Sequence, residues 1–217
     1  MTKFNDLRKF AGTSHYTWLL DAGHGGLLNG KYTTAPNKMF KFPDGLTIYE
    51  GVINRAVTDR LATMLEKETI SFQYIHDPEE DTALSVRVMR ADAHSRTPGA
   101  IYLSIHSNAG GGEGNEVYTS KGQTNSDKVA SIICDAYEKH FGKAKGMPLR
   151  TELTDGDKDK EADFYVLRKT DCPAVLVENL FFDNREEANF LLTPIGQEAI
   201  ALCLLEAIKT CELKRPF

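Results

Sequence analysis

The chain is short of the features that would remove it from the ordinary globular class. Its four cysteines, Cys134, Cys172, Cys203 and Cys211, form no C-x-x-C pair, and three of them sit in helical or apolar surroundings. They read as structural thiols and not as a disulfide framework. No apolar run approaches the roughly 20 residues needed to span a bilayer, so membrane insertion is not expected. Residues 1–12 carry lysines and an arginine but no apolar h-region, and no signal peptide is recognisable there. The chain therefore reads as one made in the cytoplasm. Basic residues are scattered, and the net charge of −5 argues against a nucleic-acid partner. Repeats, low-complexity segments and linkers are also missing.

What remains is a 217-residue chain with 41% hydrophobic and 26% charged residues. That length and composition suit one α/β domain with a substantial core. Residues 1–14 read as a lead-in and 15–213 as the domain, with a monomer expected. Strands are predicted at 16–21, 70–75, 100–106, 115–119, 164–167 and 173–178. Helices are predicted at about 50–68, 83–95, 125–141 and 194–211 from apolar residues at helical spacing, such as Ile53, Val57, Leu61 and Leu65. Strands alternating with helices imply a single, mainly parallel, twisted sheet of about six strands with helices on both faces.

Two stretches share one design. Ala100-Ile101-Tyr102-Leu103-Ser104-Ile105-His106 is an apolar run ending on a histidine, followed by small residues and Gly110-Gly111-Gly112. Thr17-Trp18-Leu19-Leu20-Asp21-Ala22-Gly23-His24-Gly25-Gly26 repeats the pattern. In open α/β sheets the carboxyl ends of strands face the ligand crevice. Two imidazoles delivered to one edge suggest a divalent metal, with zinc the best fit. The apolar run Pro173 to Val177 ends on Glu178, and Glu50 opens the first helix. Two imidazoles and a carboxylate leave an open position on zinc, and a further carboxylate can serve as general base.

Other candidates have blander readings. Asp21 is expected to orient His24 or cap its turn. His15, His76, His94 and His140 lack paired context and read as surface or packing residues. Ser104 and Ser107 do not sit in a G-x-S-x-G elbow. Arg150 and Arg168 are either contacts for a substrate carboxylate or surface salt bridges. Residues 27–48, with Pro36 and Pro43, form a long polar connection expected to wall a substrate groove, as are residues 143–163. Within the latter, Thr151 to Lys160 alternates aspartates near a glycine in the manner of a calcium loop. It lacks the closing glutamate and the flanking helices, and reads instead as a solvated loop beside the site.

With these residues in place, the chain resembles the zinc-dependent N-acetylmuramoyl-L-alanine amidases of the amidase type 3 family. The resemblance rests on Asp21-Ala22-Gly23-His24-Gly25-Gly26, Glu50 with Asn54, Ser104-Ile105-His106-Ser107-Asn108-Ala109, Phe164 to Arg168, and Pro173 to Glu178, in that order. It implies that His24, Glu50 and His106 bind zinc and that Glu178 is the catalytic glutamate. It implies a peptidoglycan or muropeptide substrate, cut between N-acetylmuramic acid and the L-alanine of the stem peptide, and action on the cell wall. The catalytic-domain size suits a lysin that reaches the wall through a membrane lesion, slightly more than it suits a trimmed remodelling enzyme. One departure stands after Glu178: the family usually has a Gly-Phe pair there, whereas this chain has Asn179-Leu180-Phe181-Phe182, which is expected to reshape the pocket floor. The alternatives are a zinc carboxypeptidase acting on wall peptides and a non-catalytic wall-binding protein of the same fold.

Overall fold

Apolar strands buried on both faces need helices to cover them, and the order of elements supplies those helices in alternation. The computed structural model describes residues 13–34, 38–95, 99–142, 146–154 and 156–217. Most of the expected lead-in, with Pro36 and Asp155, lies outside the described residues. The elements run β1 (Thr17–Ala22), β2 (Leu27–Leu28), β3 (Lys31–Tyr32), β4 (Met39–Lys41), β5 (Thr47–Tyr49), α1 (Glu50–Lys67), β6 (Phe72–Tyr74), α2 (Leu84–Ser95), β7 (Ala100–Asn108) and β8 (Glu116–Thr119). They continue α3 (Asn125–His140), β9 (Lys160–Glu161), α4 (Tyr165–Lys169), β10 (Ala174–Phe181), α5 (Arg185–Leu191) and α6 (Pro194–Lys214).

The main sheet has six strands in the order β6-β1-β7-β10-β8-β9. β6, β1, β7 and β10 are mutually parallel, β8 runs antiparallel to β10, and β9 pairs parallel with β8. The expected mainly parallel sheet is therefore present, with one reversed neighbour pair. Asp21 lies level with Ser104, and Glu178 level with His106 on one side and Glu116 on the other.

Strand side chains alternate between faces. Trp18 and Leu20, Ile101, Leu103 and Ile105, and Val175 and Val177 join one large core with α1, α3 and α6. Leu19, Tyr102, Ala174 and Leu176 join a smaller core with Val166, Leu167 and Ala91, under α2 and α4. Helices thus cover both faces.

Capping follows ordinary chemistry. Thr124 and Asp127 form a reciprocal capping box on α3. Thr193 caps α6, with Pro194 in its first turn. At the other end, Glu212 holds the entry of the chain: His15 N–H and Trp18 Nε1 donate to its carboxylate at 2.6 and 3.0 Å.

Three local expectations are corrected. Residues 164–167 are not a strand: Phe164 is the extended cap of the short helix α4. Both neighbours of β10 in the sheet are already taken, so the run has no ladder to join, and a short apolar run does not by itself distinguish helix from strand. The 27–48 connection is built largely from two small hairpins, β2–β3 and β4–β5. The short helix α5, capped by Asn184, lies in a stretch where no helix was predicted.

Candidate metal centre and substrate cleft

Each residue expected at the site arrives on a different element. His24 follows β1 in a glycine turn, with φ 62°. A non-glycine residue in this region is strained and must be held by its surroundings. Two arginines do so. Arg55 donates to the His24 carbonyl at 2.9 Å, and to the carbonyls of Gly51, Asp77, Pro78 and Glu80. Arg87 donates to the carbonyls of Ala22, His24 and Thr82, and pairs with the carboxylates of Asp21 and Asp81. Gly23 has no alternative, because a Cβ there would lie 2.1 Å from the His106 ring.

Glu50 is the first residue of α1, where a negative charge suits the helix dipole. Its Oε1 is 3.2 Å from His106 Nδ1, and its Oε2 is 3.3 Å from His24 Nε2. Asn54, one turn on, donates to Glu50 Oε1 at 3.3 Å and to the Gly23 carbonyl at 3.2 Å. The imidazoles stand edge to face, with centroids 5.0 Å apart. Ligand atoms of His24, Glu50 and His106 all lie within 4.8 Å of one another.

This set fits a zinc ion on the chemistry of its donors. Each imidazole nitrogen approaches a different oxygen of Glu50, so the carboxylate faces both rings at once. His24 Nε2 is shielded from solvent and, although close to Glu50, has no hydrogen-bond partner. Two nitrogen donors and one oxygen donor are an ordinary catalytic zinc set.

Glu178 stands beside this cluster without belonging to it. It is half-buried, and its Oε2 is shielded and unpartnered. Burial first, and the Glu50 charge second, push its pKa well above the usual carboxylate range. Glu50 is driven the other way: burial alone would raise it, but the hydrogen bond with His106 and the close approach of His24 outweigh burial and hold it low. Burial lowers the pKa of His106 against the opposing pull of Glu50. The neighbouring carboxylate, Glu116, is fully engaged by Arg150, Lys160, Tyr118 and Asn108 at 2.6–2.7 Å. Of three acids near the strand ends, only Glu178 has an idle oxygen.

A cleft of about 520 Å³ opens over these groups, lined by His24, His106, Glu178, Lys38, Leu84 and Phe164 among others. Leu84, Phe164 and Tyr165 are large apolar side chains left exposed along it. A peptide substrate needs such a wall.

The model of the family described as N-acetylmuramoyl-L-alanine amidase, type 3, matches residues 19–210. The chain belongs to this family. An endolysin of Bacillus phage SPP1 is 30% identical over 82% of this chain and 59% of its own length. The N-acetylmuramoyl-L-alanine amidase CwlM of Bacillus licheniformis is 30% identical over 84% of this chain and 63% of its own. The chain thus spans about three-fifths of these relatives. Among solved structures, the amidase Ami1 of Mycobacterium smegmatis aligns with TM-score 0.75 at 19% identity, over 94% of this chain and all of that one. This likeness is one of fold.

The structure decides several expectations about this amidase-family site: it agrees with a packing role for His76 and with salt bridges for Arg150 and Arg168, and it corrects others. Asp21 does not touch the His24 ring: its carboxylate meets Arg87, Tyr102 and Ser104, and reaches the turn only through Arg87. His76 is buried, accepting the Ala22 N–H on Nδ1 at 3.0 Å. Arg150 and Arg168 are engaged in ion pairs, with Glu116 and Asp163. Of the described residues of 27–48 only Lys38 lines the cleft, and no described residue of 143–163 does. Arg150 and Lys160 turn inward to Glu116 instead. No residue of the Asn179–Phe182 stretch lines the cleft. Leu180 has φ 61° at a register shift of β10, a conformation costing a leucine about 1–2 kcal/mol. Its side chain is fully buried in the large core and is not part of the cleft lining, so packing offsets the strain.

Arg55, Arg87 and Glu116 were missed from the sequence. Each is one charged residue in an element that reads as amphipathic, and spacing carries no sign of burial.

Proposed function

We propose that residues 15–213 form a zinc-dependent amidase domain that hydrolyses the amide between N-acetylmuramic acid and the L-alanine of the stem peptide. Its place of action would be the cell wall, after synthesis in the cytoplasm, and its state a monomer. Family membership supports the bond class. The observation that carries the chemistry is the pairing of a His24–Glu50–His106 donor set with the idle, proton-avid oxygen of Glu178 under one cleft.

His24, Glu50 and His106 would hold the ion. When bound, zinc supplies Lewis acidity to the scissile carbonyl and to the attacking water. Glu178 Oε2 takes a proton from that water as its oxygen bonds the lactyl carbonyl carbon. The same carboxyl returns the proton to the leaving nitrogen as the C–N bond breaks. The products are a lactyl carboxylate on the glycan and a stem peptide with a free L-alanine amine. Glu50, held in the charged state by the imidazoles, stays a donor throughout. Leu84, Phe164 and Tyr165 orient the peptide and exclude water from the cleft.

Zinc per chain, measured together with mass spectrometry of digested muropeptides, tests this reading. One zinc and a peptide beginning with free L-alanine are expected. Release of terminal D-alanine would mean a carboxypeptidase, and a zinc-replete chain yielding no product would mean a binding protein.

A further inference from the structure

The far edge of the sheet, at β8 and β9, carries a second cluster of acids that the amidase chemistry does not use. Asp127 lies in the first turn of α3, Asp159 immediately precedes β9, and Asp157 stands two residues before that. Their carboxylate oxygens come within 4.8 Å of one another. This is not a surface accident, because Asp159 is 2% and Asp127 5% exposed.

Donors do not match this concentration of charge. Asp127 Oδ2 accepts from the N–H and the hydroxyl of Thr124, at 2.5 and 2.9 Å. The Thr119 hydroxyl is 2.7 Å from Asp159 Oδ2 and 3.4 Å from Asp127 Oδ1, and its single proton serves the nearer oxygen. Asp157 Oδ2 receives only a long contact from Gln123, at 3.5 Å. Oδ1 of Asp157 and Oδ1 of Asp159 are both shielded from solvent with no partner, and the two carboxylates face each other.

No lysine or arginine among the described residues pairs with any of the three. Lys158 turns away to Asp135 and Glu138, Lys160 reaches Glu116, and Lys128, which borders the cluster, bonds Asn125. Lys121 also borders it without forming an ion pair. Burial first, then the charge of Asp157, a hydrogen bond that a shared proton would make with it, and the charge of Asp127 together outweigh the Thr119 hydrogen bond and push Asp159 up to about 7. Buried like charges persist when a cation or a proton lies between them.

We propose that Asp127, Asp157 and Asp159, with the Thr119 hydroxyl, bind a hard divalent cation of the calcium class. All the donors are oxygen, which suits calcium or magnesium and not zinc. The donors come from a helix turn, a strand and a loop with irregular spacing, and calcium tolerates that irregularity better than magnesium does. The aspartate-rich stretch does not close on itself as a calcium loop; it borrows Asp127 from α3. The ion would fasten residues 156–159 to α3 and β8. Lys160 follows directly and holds Glu116, the cross-strand neighbour of Glu178.

The test is calorimetric titration of CaCl2 and MgCl2 into the zinc-loaded full chain, with melting temperature followed in parallel. One calcium per chain is expected, with a Kd of about 10⁻⁵–10⁻³ M, a raised melting temperature and weaker magnesium binding. Asp159→Asn and Asp157→Asn should each weaken calcium at least tenfold. Asp157 is the less buried, so its variant reports even if Asp159→Asn folds poorly. His106→Ala should lose zinc and keep calcium. The proposal fails if the wild-type chain gives no heat and no melting shift at about 10 mM calcium, well above such Kd values. In that case a shared proton holds the cluster. It also fails if Asp157→Asn binds like wild type, or if His106→Ala abolishes calcium binding, which would put the ion at the imidazoles.

Discussion

The two faces of the sheet are built from the same strands and do different work. On one face, Trp18, Leu20, Ile101, Leu103, Ile105, Val175 and Val177 pack under α1, α3 and α6, helices of 18, 16 and 21 residues. On the other, α2 and α4 have 12 and 5 residues. The row under them runs Leu19–Asp21, Tyr102–Ser104–His106 and Leu176–Glu178. The same alternation that buries Leu19, Tyr102 and Leu176 carries Asp21, Ser104, His106 and Glu178 out from under the helices into the cleft. Neighbouring residues therefore have opposite duties. Ile105 is core and His106 is chemistry; Val177 is core and Glu178 is chemistry. Beyond Glu50 and Asn54 at the start of α1, the apolar side chains of the thick face can be optimised for stability without disturbing the reaction, because a strand cannot turn one side chain without turning the whole ladder.

This division can be broken in several ways. The largest effect is expected from Glu178→Gln on the thin face, which keeps the shape but cannot accept a proton. At matched zinc, kcat should fall about 10²- to 10⁴-fold. The melting temperature should hold or rise, since a buried carboxylate beside Glu50 is removed. Glu50→Gln should instead lose zinc along with rate. Retention of zinc by Glu50→Gln with loss from Glu178→Gln would exchange the two roles.

Next is the thick face. Leu61, fully buried in α1, should cost about 2–5 kcal/mol of stability as Leu61→Ala, read from denaturant unfolding. Turnover per folded molecule at 25 °C should be unchanged. A large drop in kcat would mean that the faces are mechanically coupled.

A change of pH tests the frame between them. Burial lowers the His76 pKa from 6.5 to about 4. The folded chain then binds fewer protons than the unfolded chain between those values. The stability from neutral His76 is full above pH 6.5 and is lost as pH falls towards 4, by up to about 3 kcal/mol. In His76→Asn, whose side-chain oxygen can still accept the Ala22 N–H, the slope over that window should flatten. An unchanged slope would assign it to other groups.

The smallest effect is expected at Leu84, 54% exposed on the cleft wall. Leu84→Ala should leave stability within about 0.5 kcal/mol, as for other surface changes. KM for muropeptides should rise by less than about tenfold, below the worth of one fully enclosed methylene, because this side chain is more than half exposed. Unchanged KM would remove Leu84 from the substrate wall.

The elements that build the thick face were legible in the sequence, because long apolar periodicities report on burial directly. The apolar runs ending on His24, His106 and Glu178 were legible for the same reason: a polar residue closing a buried strand is conspicuous. The convergence of Glu50 with the imidazoles came from the family resemblance, since no local pattern links a helix start to two strand ends. Short pieces were less readable. Residues 164–167 carry too few turns to show a period, and α5 is a single capped excursion. Arg55 and Arg87 were invisible because a buried arginine satisfied by backbone carbonyls looks, in sequence, like any exposed one.

Those two arginines have a consequence for how a metal would arrive. Their N–H groups tie carbonyls from three separate segments, residues 22–24, 51 and 77–82, into one block behind His24. The liganding turn is thus fixed by contacts that do not involve the ion. Capture of zinc should then proceed without a folding step, in a single kinetic phase paced by loss of water from the incoming ion. Its heat-capacity change should be small, because no apolar surface remains to be buried when the ion binds.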